Sequence, residues 1–253
     1  MFEIIKVSLD QGHQFVPDVR NATVKPPFRG FPVIKTDSCG KCSFCAEICP
    51  ADAINFIPKV TIDLGKCVFC GECERQCPNN SIRFSQDHHL GVDQRNKLFI
   101  SSGDTYEQFR SRSITAKNEI TSMFGRSLKL RSVSAGGCNA CEMELNAADN
   151  VNFDMERFGI EIVASPRHAD GIVISGPISQ NMAAALEDAY QCIPDPKIVI
   201  AMGSCAVSGG LFISSPAINR SFFDNHPVDI FLPGCPTHPL TFINAVLDFL
   251  DIT

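Results

Sequence analysis

Eight of the chain's 13 cysteines form two runs of one spacing within its 253 residues. Cys39, Cys42, Cys45 and Cys49 stand before Pro50; Cys67, Cys70, Cys73 and Cys77 stand before Pro78. Both runs read C-x2-C-x2-C-x3-C-P. Three thiolates so close together wrap one corner of a cubane iron–sulfur cluster, and the fourth, carried onto a short helix, reaches a second cluster. One ligand set is then Cys39, Cys42, Cys45 and Cys77, and the other is Cys67, Cys70, Cys73 and Cys49. A structural zinc site takes two pairs of ligands, usually with a long gap between them, and has no use for the third cysteine or the terminal Cys-Pro. The duplication runs on into Asp52-Ala53-Ile54-Asn55-Phe56 and Asn80-Ser81-Ile82-Arg83-Phe84. A strand is expected there after each short helix, with apolar residues that keep water from the clusters.

Cys138, Cys141, Cys205 and Cys235 are dispersed, and the elements around them decide what they can do. Strands are expected at Leu128 to Val133, Glu161 to Val163, Gly171 to Ser175, Lys197 to Met202 and Val228 to Leu232. Helical patterns lie between them at Asn181 to Gln191, and at the end on a stripe of Leu240, Ile243, Val246, Leu247 and Leu250. Strands alternating with helices imply a parallel sheet covered on both faces, with ligands at the carboxyl ends of its strands. Cys138, Cys205 and Cys235 each follow a strand and are flanked by glycine, which lets backbone approach a ligand closely. On spacing alone two readings stand: four ligands of a third cubane, or small buried hydrophobes. Cys192, at the apolar end of a helix, reads as a buried hydrophobe.

Composition narrows the function classes. A formal charge of -6 argues against a nucleic-acid binder held by phosphate contacts. No apolar run is long enough to cross a membrane, and the N-terminal residues resemble neither a signal nor a transit peptide. The expectation is a cytoplasmic protein that reaches the membrane only through partners. So many cysteines in a reducing compartment point to metal ligation rather than disulfides. Residues 1–86 carry 10 basic and 9 acidic side chains, whereas residues 87–253 carry 12 and 19. Ser208-Gly209-Gly210 fits no nucleotide-binding pattern. His88-His89 reads as solvated linker. The excess of Phe over Tyr and Trp has no functional account beyond dry packing near clusters.

The residues carry a resemblance. Gly136-Gly137-Cys138-Asn139-Ala140-Cys141-Glu142-Met143-Glu144 is similar to a stretch of the small electron-transfer subunit of group 4 membrane-bound [NiFe] hydrogenases. The likeness continues through Glu156 to Ile160, Ser165 to Asp170, Pro194 to Lys197, Met202-Gly203-Ser204-Cys205 and Pro233-Gly234-Cys235-Pro236, nearly all of residues 127–250. That subunit is homologous to the 20 kDa, B-type subunit of respiratory complex I. Phe28-Arg29-Gly30 and the two cysteine runs resemble the ferredoxin-like subunit of formate hydrogenlyase, itself similar to the I-type subunit of complex I. The resemblance implies a natural fusion of two neighbouring subunits. Residues 1–30 would be an extension, 31–86 a bacterial-type 2[4Fe-4S] ferredoxin domain, 87–126 a linker on the surface or against a partner, and 127–253 a flavodoxin-like α/β domain. It also implies three [4Fe-4S] clusters, with Cys138, Cys141, Cys205 and Cys235 holding the third.

Two departures bear on function. Complex I has adjacent cysteines at this cluster, but position 140 here is Ala. Complex I follows its last cysteine with an arginine-bearing motif, and this chain has Thr237-His238 instead. Both features favour the hydrogenase branch over a quinone reductase. His238 could tune a cluster or accept a proton, or be a packed residue. Glu144 is either an acid beside the cluster or a helix N-terminal glutamate favoured by the dipole. His168 lies in the shared motif and could equally cap a turn.

The expected role is that of a non-catalytic electron-transfer subunit. It would relay single electrons to or from a large [NiFe]-hydrogenase-like subunit, similar to the complex I 49 kDa subunit. Membrane subunits would be indirect partners, and a formate dehydrogenase or ferredoxin-type protein the electron donor. A complex-I-like quinone oxidoreductase module is the alternative, and a stand-alone ferredoxin-type carrier is disfavoured by the second domain.

Overall fold

A computed structural model describes residues 2–12, 15–36, 39, 42–56, 58–115, 124–125 and 127–252. The C-terminal half holds one sheet of five strands: β6 (Leu128–Ser134), β7 (Ile160–Ile162), β8 (Gly171–Ser175), β9 (Ile198–Met202) and β10 (Ile230–Leu232). Every pairing in it is parallel, and the spatial order is β7-β6-β8-β9-β10. In order along the chain that is 2-1-3-4-5, the flavodoxin-like arrangement, with its switch point between β6 and β8. β8 and β9 are buried throughout and read as continuous apolar runs, as central parallel strands must. Val173 and Ile200 join one core with the helices Ala140–Ala148 and Pro239–Phe249. Ile172, Ile174 and Val199 join another core with the helix Gln180–Gln191. Both faces are therefore covered.

The last helix is buried on nearly every side. Pro239 opens it, where the missing N–H costs nothing. Its one buried amide, Asn244, is satisfied: Nδ2 donates to Val19 O at 2.8 Å and to Leu240 O at 2.9 Å. Val19 belongs to the same core, so the stretch around it packs on the parallel-sheet unit. The preceding helix, Phe2–Gln11, is exposed along its described side chains.

The cysteine runs sit among short strands. β1 (Pro32–Ile34) pairs antiparallel with β4 (Ile82–Phe84), and β2 (Ile54–Asn55) with β3 (Thr61–Asp63). A strand follows each of the short helices Phe44–Glu47 and Glu72–Arg75, as the repeat predicts.

The linker expectation needs correction. β5 (Phe99–Ser101) lies within residues 87–126, yet it pairs antiparallel with β3 and completes a three-stranded sheet. The helix Tyr106–Arg112 starts in a capping box between Thr105 and Gln108. Val92, Leu98, Ile100 and Phe109 are fully buried. The reason is apolar side chains too sparse to show a period, each finding a place in a core built by other segments. Helix-forming content across residues 116–123 lies outside the described residues. Phe109 packs against Phe31 with ring centroids 5.4 Å apart. Phe109→Ala should therefore cost about 3–5 kcal/mol in denaturant unfolding. A loss under about 1 kcal/mol, the size of a surface change, would return this segment to a connector.

His88 is also corrected: it is 4% exposed rather than solvated, with His89 partly buried against it. His88 O accepts from Thr241 Oγ1 at 2.6 Å, which fixes the backbone here beneath the last helix. Burial, then the charges of His89, His238 and Arg110, push the His88 imidazole down to about 3. An unfolded-chain histidine titrates near pH 6.5. Between those values the unfolded chain holds a proton that the folded chain does not, so stability present above pH 6.5 is lost as pH falls. Thermal melts from pH 7 to pH 5 should show a shallower acid loss for His88→Gln than for the natural chain. Equal slopes would remove His88 from that account.

The two halves share a core. Ala201, Ala206 and Val207 of the parallel-sheet half pack with Phe31, Ile62, Leu64, Cys67 and Leu98. Val92 and Phe231 exchange backbone hydrogen bonds of 3.0 and 2.8 Å, which extends the β10 edge. Asp248 accepts from both Arg20 and Arg110 and ties two N-terminal segments to the last helix.

Candidate iron-sulfur sites

The two cysteine runs interleave in space. Cys39, Cys42, Cys45 and Cys77 line one cavity with Phe44, Phe56 and Pro78. Cys49, Cys67, Cys70 and Cys73 line a second with Ile54, Ile62 and Phe84. The cysteine that follows each short helix, Cys49 or Cys77, thus crosses to the other set. Backbone N–H groups aim at the sulfurs in a repeated pattern. Ala53 N donates to Cys49 Sγ at 3.4 Å and Ser81 N to Cys77 Sγ at 3.2 Å, each from four residues on. Phe69 N donates to Cys67 Sγ at 3.3 Å.

The thiols resist ionisation where no cation faces them. Burial, then the charges of Cys39 and Cys42, push Cys45 up to about 11. Burial, then Cys45, Cys49 and Cys70, push Cys73 up to about 12, and burial drives Cys67 upward as well. Burial also opposes ionisation at Cys77, but the N–H groups of Ser81, Asn79 and Ile82 overcome it and lower that thiol. Thiols raised in this way around one cavity need positive charge, and a metal centre supplies it by holding them as thiolates. Among the described residues no group of three or more His, Cys, Asp or Glu is placed to hold a single metal ion.

The sheet positions the third set. Cys138 follows β6, Cys141 lies in the first turn of the next helix, Cys205 lies in the first turn of the helix Ser204–Ser208 after β9, and Cys235 follows β10. All four therefore stand at the carboxyl edge, with Cys138 and Cys141 beside the switch point. Burial, then Glu142, Cys205 and Cys235, push Cys141 up to about 12, against a Thr237 N–H. Burial, then Cys235 and Cys138, push Cys205 up to about 11, with Arg220 opposing. Burial, then Cys138 and Cys70, raise Cys235. The thiols of this set thus weigh on one another's charge, and Cys70 of the second set weighs on Cys235. This set opens outward at Cys138 and Cys235, which are exposed, as the first set does at Cys42. Gly203 lies so close that an added Cβ would sit 2.5 Å from Cys141 Sγ.

Glu144 and His238 line a pocket that also holds Cys235, Phe28, Arg29 and Phe69. Burial raises the Glu144 carboxyl. The helix-start position belongs instead to Glu142, which accepts from Ser175 Oγ at 2.8 Å. His238 caps the last helix, accepting from Leu240 N at Nδ1 over 3.2 Å, and burial pushes it down to about 4. His168 ends an exposed turn away from the cysteines. Cys192 is exposed at a helix end, not buried, because that end faces solvent.

Sequence reasoning missed Ser204 and Arg220. Ser204 Oγ lies 2.6 Å from Cys67 O and 3.0 Å from Gly234 O, so the residue before Cys205 fastens the third set to the second. Its place beside a cysteine was the available signal. Arg220 had none, since it follows Cys205 by 15 residues and meets it only in the fold.

Residues 138–249 match the family of the NADH ubiquinone oxidoreductase 20 Kd subunit, and residues 38–81 match the 4Fe-4S dicluster domain. The chain is 40% identical over 133 residues to the probable membrane-bound hydrogenase subunit mbhJ of Pyrococcus furiosus, covering 53% of this chain and 80% of that one. It is 43% identical over 114 residues to formate hydrogenlyase subunit 7 of Escherichia coli, 45% of either chain. It is 36% identical over 168 residues to the B-type subunit of the NADH-quinone oxidoreductase of Clostridium beijerinckii, 66% of this chain and 89% of that one. An N-terminal dicluster match, a parallel sheet with cysteines at its carboxyl edge and long relatives of one kind agree: the chain belongs to the family of 20 kDa subunits shared by NADH ubiquinone oxidoreductases and membrane-bound hydrogenases, preceded by a 4Fe-4S dicluster domain.

Proposed function

We propose that this chain is the electron-transfer subunit of a membrane-associated group 4 [NiFe] hydrogenase complex of the formate hydrogenlyase type, with three [4Fe-4S] clusters in series. The observation that carries it is the order of the cysteine sets. Cys45 of the first acts on Cys73 of the second, and Cys70 of the second acts on Cys235 of the third. Bound clusters would supply one-electron redox chemistry at each station.

The chain's own residues do the rest. Phe44, Phe56, Ile54, Ile62 and Phe84 exclude water from the first two sites. The N–H groups of Ala53, Phe69 and Ser81 lend partial positive charge to the sulfurs. Ser204 holds the halves in register at the second-to-third step. The outward-facing third set would meet a large catalytic subunit that carries the nickel and iron. Among the described residues no helix is long and apolar enough to cross a membrane, so attachment would come through partner subunits. A formate dehydrogenase or a ferredoxin-type protein would donate at the other end.

The long match to the B-type subunit of an NADH-quinone oxidoreductase supports a second reading, a complex-I-like module without hydrogen chemistry. Metal analysis of the anaerobically purified native complex separates the two. Nickel near one atom per copy of this chain, with iron for three clusters, is the expected result. Iron without nickel would overturn the hydrogenase assignment in favour of the quinone module.

A further inference from the structure

Arg220 reaches back to the short helix that carries the third set's Cys205. Its Nη1 donates to Cys205 O at 3.2 Å and its Nη2 to Ala206 O at 2.8 Å. The guanidinium also lies over the Phe223 ring, 4.9 Å from its centroid. Two carbonyls and an aromatic face thus fix a half-buried cation against one ligand residue. Among the described residues no carboxylate makes an ion pair with it. The charges that weigh on it are those of Asp224, an exposed side chain, of Arg95 and of Cys205 itself. Arg95 is already matched by the buried Asp63, 2.7 Å away. That leaves Arg220 as a fixed positive charge whose negative counterparts are the exposed Asp224 and, held against it through its own carbonyl, Cys205 of the third set. Its effect on Cys205 is direct, because it works against the burial that raises that thiol. The strongest charges on Cys45, Cys67 and Cys73 are instead those of other cysteines.

An added electron makes an all-cysteine cluster more negative, so a fixed cation beside it stabilises the reduced state more than the oxidised one. We propose that Arg220 is a positioning residue for electrons: it raises the reduction potential of the third site and draws electrons there from the other two. The inference rests on Cys138, Cys141, Cys205 and Cys235 holding a cluster. It adds the residue that sets that cluster's potential. Lysine at this position keeps the charge without the two-point hold, and glutamine keeps a hydrogen bond without the charge.

The test is an EPR-monitored redox titration of the anaerobically purified complex carrying the natural chain, Arg220→Gln or Arg220→Lys. The expected result is a third-cluster midpoint potential shifted negative in Arg220→Gln and close to natural in Arg220→Lys, with the other two unmoved. Loss of the third signal in the glutamine variant alone also supports the charge, which arginine and lysine share. An unshifted potential in Arg220→Gln, equal shifts in both variants, or loss of the signal in both would overturn the proposal. A natural complex with no third signal, or a Cys205→Ser complex that keeps it, would instead sink the ligand assignment.

Discussion

Cys205→Ser should leave two clusters in place and remove the third, with turnover of the complex falling to background. Cys205 is one of four cysteines at the carboxyl edge of the sheet, and burial raises its thiol to about 11, so it needs a metal to hold it as thiolate. A serine hydroxyl ionises far less readily than a thiol and is a poor ligand for iron that prefers soft thiolates. The first two cavities take no lining from this residue, so they should keep their iron. Iron per chain should therefore fall by about a third, matching one of three cubanes. The fold should survive, since Cys205 is a half-buried residue of a five-residue helix and not a large core side chain. Iron analysis, EPR and hydrogen turnover on one preparation check this together. Full iron content with full activity would show that Cys205 is no ligand.

Gly203→Ala should damage the same site without touching a cysteine. Gly203 sits at φ +88 and ψ 156, a conformation that L side chains rarely adopt. Holding alanine there costs on the order of 1–3 kcal/mol in backbone strain. The new methyl would also stand 2.5 Å from Cys141 Sγ, far inside contact distance. Either the sulfur moves or the loop does. Gly203 N donates to Leu232 O at 2.8 Å, and the next residue donates to Gly234 O, so loop movement would carry Cys205 and Cys235 with it. Selective loss of the third EPR signal, with the other two intact, is the expected outcome. An unchanged third signal at unchanged iron content would mean that Cys141 stands clear of the cluster.

Much of this was legible along the chain because the relevant physics is local. Three thiols and a Cys-Pro within twelve residues can only wrap a small centre, and two copies of the pattern imply the exchange of their last cysteines. The parallel sheet could be read from strands such as Gly171–Ser175 and Ile198–Met202, whose apolar runs have no solvent face. Their ends then marked where Cys138, Cys205 and Cys235 would gather.

Other features depended on segments far apart in the chain. Residues 87–126 look like a connector because Leu98, Ile100 and Phe109 follow no period; each is buried by a different neighbour, and β3 recruits the strand that contains Ile100. His88-His89 looks polar enough for solvent, yet the last helix roofs it over. Residue types along the sequence determined which groups could bind iron and which strands had to be covered. The tertiary structure alone decided that the second and third sets meet, through Ser204 on Cys67 and Cys70 on Cys235, and that Arg220 stands beside Cys205. Ligand spacing is a property of a dozen residues, whereas burial and electrostatic proximity are set by surfaces that meet only after the chain has folded.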